Sequence, residues 1–171
     1  QCVDPAMIPA GFTAGCFFDP VDVDQVHVML PFATARSAPM AYDPSTNRFF
    51  VAGGVSAVWH RRGEDPGYYA LARVPGIQSY GLIAAIDAGT GRIAWQRRVP
   101  NLVYDGSGVS ATAGGLVFHG DPDGTLQAYD ARNGALLWKF QTGAAAEGPV
   151  AVYAVKGDQM VALAATNAVW G

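Results

Sequence analysis

From Gly81 the chain alternates apolar with small residues, reaches Asp87, turns through Ala-Gly-Thr-Gly91 and becomes apolar again at Ile93. The same pattern returns 43 residues later, from Gly124 through Asp130 and Gly134 to Trp138. The pairs Gly81/Gly124, Ala85/Ala128, Asp87/Asp130, Ala88/Ala131, Gly91/Gly134 and Trp95/Trp138 are identical without a gap. Strands on both sides of an Asp-x-x-x-Gly turn predict a hairpin in each copy. The carboxylate caps turn donors and the glycine takes a positive φ. A period in the forties is that of one four-stranded propeller blade.

The remaining pattern is also strand and turn. Residues 38–42, the Asp43-Pro-Ser-Thr-Asn47 turn and 48–52 predict a hairpin, as do 149–155 with 160–165. Residues 108–120 supply two further strands joined at Gly114-Gly115, and 25–30 reads as one isolated strand. The stretch 60–67 reads as a polar insertion. No helix is predicted, because the short run 144–147 meets Gly-Pro. The organisation is therefore an irregular connecting segment over 1–36 and two to three blades over 37–171. So few blades do not close a ring, which needs roughly four to eight. The chain thus reads as all-β and as one sector of a larger propeller.

Half of the 171 residues are hydrophobic and 15% are charged, as in a folded core. A net charge of −3, with basic residues scattered apart from Arg61-Arg62 and Arg97-Arg98, gives no footprint for nucleic acid. No apolar run approaches the ~18–20 residues of a membrane-spanning helix. Cys2 and Cys16 are the only cysteines. They are either a disulfide, which implies an oxidising compartment, or two buried unlinked thiols. His27, His60 and His119 have no carboxylate or cysteine at ligand spacing and read as polar strand-end or loop residues. Asp121-Pro-Asp123-Gly124 reads as a β-turn rather than half of a calcium loop.

The segments Ala85–Trp95, Ala111–Gly120 and Asp123–Trp138 together resemble the C-terminal third of the pyrroloquinoline-quinone (PQQ) alcohol dehydrogenases, the methanol and ethanol quinoproteins. The resemblance is strong over 80–171, weaker over 37–52 and slight before that. It implies a sector of an eight-bladed propeller with PQQ on its axis and calcium or a lanthanide beside the quinone, bound mainly by residues outside this chain. It also implies a periplasmic or otherwise extracytoplasmic enzyme. Such an enzyme oxidises an alcohol to an aldehyde or ketone and passes electrons to cytochrome c or a quinone.

By the same resemblance, Trp170 donates its indole N–H to the cofactor or is a plain terminal tryptophan. Asn167 lies beside it as a second candidate contact. Arg36 stands near the place of a family asparagine, where it either forks onto the quinone or is a surface arginine. Tyr104-Asp105 replaces a family tryptophan. No catalytic residue and no metal ligand is assigned to this chain. Trp95, Trp138, Asp87, Asp130, Gly91 and Gly134 are expected to be structural. The competing reading is a cofactor-free propeller serving as a scaffold or binding module in a cell-envelope complex.

Overall fold

In the computed structural model the described residues are 2–16, 26–29, 35, 38–62, 69–101, 103, 107–146, 148–166 and 168–170. Their regular structure is β-strand, apart from one 3₁₀ turn at Pro5–Met7 capped by the Asp4 carboxylate. The chain divides into two compact units, residues 35–54 with 80–171 and residues 1–34 with 55–79.

The larger unit is built from the repeat. Strands β3 (Ala41–Asp43), β4 (Arg48–Val55), β7 (Tyr80–Asp87) and β8 (Ile93–Val99) form one four-stranded sheet in the order β3-β4-β7-β8. Strands β9 (Val109–Ala111), β10 (Leu116–Gly120), β11 (Thr125–Asp130) and β12 (Leu136–Gln141) form a second, ordered as an antiparallel meander. Strands β13 (Val150–Val155), β14 (Asp158–Ala165) and β15 (Ala168–Trp170) form a third. The two sequence copies are also copies in register. Trp95 lies opposite Ala85 and Trp138 opposite Ala128, and in each case the ladder bulges immediately after that alanine.

Burial explains the apolar pattern. Phe50, Ile83, Ala85, Trp95 and Val99 pack against Val109, Val117 and Tyr129 of the next sheet. The opposite face of that sheet, with Phe118, Leu126 and Ala128, packs against Val150 and Leu163 of the third. Val117 and Phe118 are thus both buried although adjacent, because the sheet is covered on both faces. The first strands of the three sheets are neighbours, with β9 touching both β3 and β13.

The smaller unit holds β1 (Thr13–Ala14), β2 (His27–Met29), β5 (Val58–Arg62) and β6 (Tyr69–Arg73), ordered β1-β2-β5-β6. Its core is Val28, Ala57 and Val74. Cys2 and Cys16 are joined as a disulfide. Strands β5 and β6 are not among the elements expected from the sequence. After Val58-Trp59 the first runs into His-Arg-Arg, and the second is mostly Ala and Leu, so the β-prone signal in each is short.

Candidate cofactor face and blade seam

The turns between paired strands hold the residues singled out by the repeat. Asp87 Oδ1 accepts from the backbone N–H groups of Gly89 and Thr90 at 3.1 and 2.7 Å and from the Thr90 hydroxyl at 2.8 Å. Asp130 Oδ1 accepts from the Arg132 N–H at 2.7 Å. Gly91 and Gly134 close the two turns at φ of 68° and 69°, each donating to the carbonyl of its aspartate at 2.8 Å. Asp43 caps a third turn of this kind through Ser45 and Thr46. The hydrogen bond from Ser45 holds the Asp43 carboxyl below its usual range, that from Thr90 does so for Asp87, and that from Arg132 for Asp130.

The second turn is the receptor of the seam. Trp95 donates its indole N–H to the Ala131 carbonyl at 2.9 Å. Arg48 donates to the carbonyls of Ala131 and Arg132 at 3.2 and 2.7 Å. Arg97 donates to those of Asn133 and Gly134 at 2.7 and 2.9 Å. Four consecutive carbonyls are therefore satisfied by side chains of the preceding sheet. A Cβ on Gly134 would lie 2.6 Å from the Trp95 ring, so this glycine serves both the backbone and the packing. The arginines were not legible in the repeat, since the second copy has Phe140 where the first has Arg97.

Trp138 stands differently. It is 45% exposed and stacks parallel to Phe140 with ring centroids 6.1 Å apart. Leu136 and Leu137 beside it are also exposed. The third sheet covers Leu126 and Ala128 on that face but does not reach the Trp138 strand.

At the end of β10 a buried polar group lies in the same seam as Val117 and Tyr129. His119 and Asp121 are both fully buried. His119 Nδ1 is 3.1 Å from the Gly108 carbonyl, which can only accept, so this nitrogen carries the hydrogen. Asn101 donates to Asp121 Oδ1 at 2.7 Å and ties the chain leaving β8 to the turn after β10. Burial lowers the pKa of His119 and raises that of Asp121. Burial, with the nearby Asp121 carboxylate as a second cause, pushes the Tyr129 phenol up to about 12. The Asp121–Gly124 segment is a β-turn, with Gly124 donating to the Asp121 carbonyl at 2.9 Å and Asp123 Oδ1 capping Thr125 N–H at 2.8 Å. Among the described residues no three His, Cys, Asp or Glu side chains gather into a metal site.

Of the three expected cofactor contacts, the structure describes only the backbone of Trp170. Trp170 has its backbone in β15, paired with Leu163. Its side chain, together with Arg36 and Asn167, lies outside the described residues.

The chain has clear counterparts among known proteins. A family model described as outer membrane protein assembly factor BamB matches residues 59–171. The chain belongs to that PQQ-repeat propeller family. Within it, the relatives in sequence are quinoproteins. Quinoprotein alcohol dehydrogenase PedE of Pseudomonas putida is 31% identical over 80% of this chain and 23% of its own length. The 1-butanol dehydrogenase (quinone) of Thauera butanivorans is 35% identical over 82% of this chain and 23% of its own. The quinohemoprotein alcohol dehydrogenase of Comamonas testosteroni superposes with a TM-score of 0.73 at 24% identity, covering 84% of this chain and 24% of that one. That likeness shows the propeller fold. The all-β architecture and the quinoprotein resemblance read from the sequence both agree with these findings. The chain spans under a quarter of the length of the curated relatives it matches.

Proposed function

We propose that this chain forms a sector of a PQQ-dependent alcohol dehydrogenase, an oxidoreductase acting on a CH–OH group in an extracytoplasmic compartment. The observation that carries the reading is sequence likeness to quinone-linked alcohol dehydrogenases over four-fifths of the chain. Trp138 and Phe140 stay exposed where the three-stranded third sheet stops short of their strand, which supports additional strands continuing that sheet. The matching face around Trp95 is covered by a turn of the next sheet.

In this reading PQQ supplies a two-electron acceptor for oxidation of the alcohol to an aldehyde or ketone, with electrons leaving to cytochrome c or a quinone. A calcium or lanthanide ion would be bound mainly by residues of the remaining blades. The work of this chain is positional. Its Trp95 and arginine clamps hold adjacent blades in register, and Asn101 with Asp121 fixes the loop leading towards β9. The innermost strands β3, β9 and β13 would face the axis. Trp170, Asn167 and Arg36 are proposed as cofactor contacts from this sector.

The test is dye-linked oxidation of primary and secondary alcohols by the chain assembled with its remaining blades, PQQ and calcium. PQQ-dependent turnover abolished by a chelator is expected. PQQ binding without turnover would remove the alcohol assignment and leave a quinone-binding propeller.

A further inference from the structure

The two partly exposed histidines are far apart in sequence and read there as unrelated polar residues. The smaller unit makes them direct partners. His27 on β2 and His60 on β5 occupy opposed positions of an antiparallel pair. Side chains at opposed positions leave the sheet on the same face. Thr13 on β1 and Leu71 on β6 extend the row to both edges. Val28 and Trp59, one residue along, belong to the other face and its core. The histidine row is therefore on the face opposite that core, with the half-buried His27 and His60 flanked by the exposed Thr13 and Leu71.

The rings meet edge to face, with centroids 6.2 Å apart and an interplanar angle of 85°. His27 Nε2 is shielded from solvent and has no hydrogen-bond partner. A buried ring nitrogen without a partner is costly, and here it sits beside a second imidazole. Metal–nitrogen bonds of about 2.0–2.1 Å place two coordinated imidazole centroids about 5–6 Å apart. The observed separation of 6.2 Å lies just outside that range. Burial, followed by the proximity of His27, lowers the pKa of His60, which favours the neutral form that ligates.

We propose that His27 and His60 form a two-histidine chelate on the face of this sheet opposite its core for a divalent transition ion of the Zn2+, Ni2+ and Cu2+ class, with water completing the coordination. Imidazole nitrogens select this class over calcium, so the site differs chemically from a calcium site beside a quinone. It is independent of the quinoprotein reading. Competing soft ligands are few, because the cysteines are disulfide-bonded and His119 is fully buried.

The test is calorimetric titration of the full chain with Zn2+. One ion per chain is expected. His27→Gln and His60→Gln should each weaken binding at least about tenfold, because each leaves a single histidine. The double variant should be little worse than either single one. A second measurement needs no variant. Zn2+ should slow diethyl pyrocarbonate modification of His27 and His60 together, as mapped by mass spectrometry. Unchanged Zn2+ affinity in either folded variant, or modification of both rings at an unchanged rate, would overturn the assignment.

Discussion

The indole of Trp95 is bonded to the carbonyl of Ala131, a residue of the next copy of the same repeat. A residue that marks one blade is thus spent on holding the following one. Trp95→Phe removes the donor and should cost about 1 kcal/mol. Trp95→Ala also opens a buried space and should cost about 3–5 kcal/mol. Trp138→Phe, at an exposed position, should stay within about 0.5 kcal/mol in this chain. Urea denaturation of the three variants measures the contrast.

Gly91 and Gly134 share a backbone conformation but not an environment. A Cβ at Gly91 meets nothing within 4 Å, whereas one at Gly134 runs into the Trp95 ring. Gly91→Ala should therefore cost only the left-handed backbone term, about 1–2 kcal/mol. Gly134→Ala should cost clearly more and shift the Trp95 fluorescence, because the ring must move. Equal losses in the two variants would contradict a packing role for Gly134.

His119 gives the seam a pH dependence of known sign. Its folded pKa is depressed by burial, so below about pH 6.5 the unfolded chain takes up a proton that the folded chain does not. Stability from this group is full above that pH and is lost as pH falls, by at most about 1.36 kcal/mol per pH unit. Asp121 acts in the opposite sense at lower pH. Its raised pKa favours the folded state below the usual carboxylate value of about 3.9 and loses that contribution as pH rises. His119→Gln should therefore flatten the fall in stability below about pH 6.5, measured by thermal denaturation.

The Cys2–Cys16 bond joins residues 14 apart in the smaller unit, whose buried apolar cluster is built around Val28, Ala57 and Val74. Reduction, or the paired Cys2→Ser and Cys16→Ser change, should destabilise that unit by about 3 kcal/mol through loop entropy in the unfolded chain. Denaturation with and without reductant measures this directly.

The larger unit was legible because its signals are local. Asp87 and Gly91, or Asp130 and Gly134, act within one turn, and strands such as 81–86 carry their own apolar period. The partners of that turn were not legible. Arg48 and Arg97 reach carbonyls tens of residues away and have no equivalents in the second copy. In the smaller sheet the strand within 25–30 was legible, and β5 and β6 were not, for a related reason. Ala70, Leu71 and Ala72 become a strand through pairing with β5 rather than through propensity. His27 and His60 looked unrelated because register across two strands, not spacing along one, makes them neighbours. The sequence also predicted equivalent roles for Trp95 and Trp138. One is buried in a seam and the other is half exposed, because the third sheet does not cover its strand.

The quinoprotein reading meets its most direct test in the PQQ content of the assembled propeller, measured by release of the quinone and mass spectrometry after reconstitution. One PQQ per propeller is expected, with retention weakened at least about tenfold by Trp170→Ala through loss of an indole contact. An assembled propeller that retains no PQQ would contradict the account and leave a cofactor-free scaffold in its place.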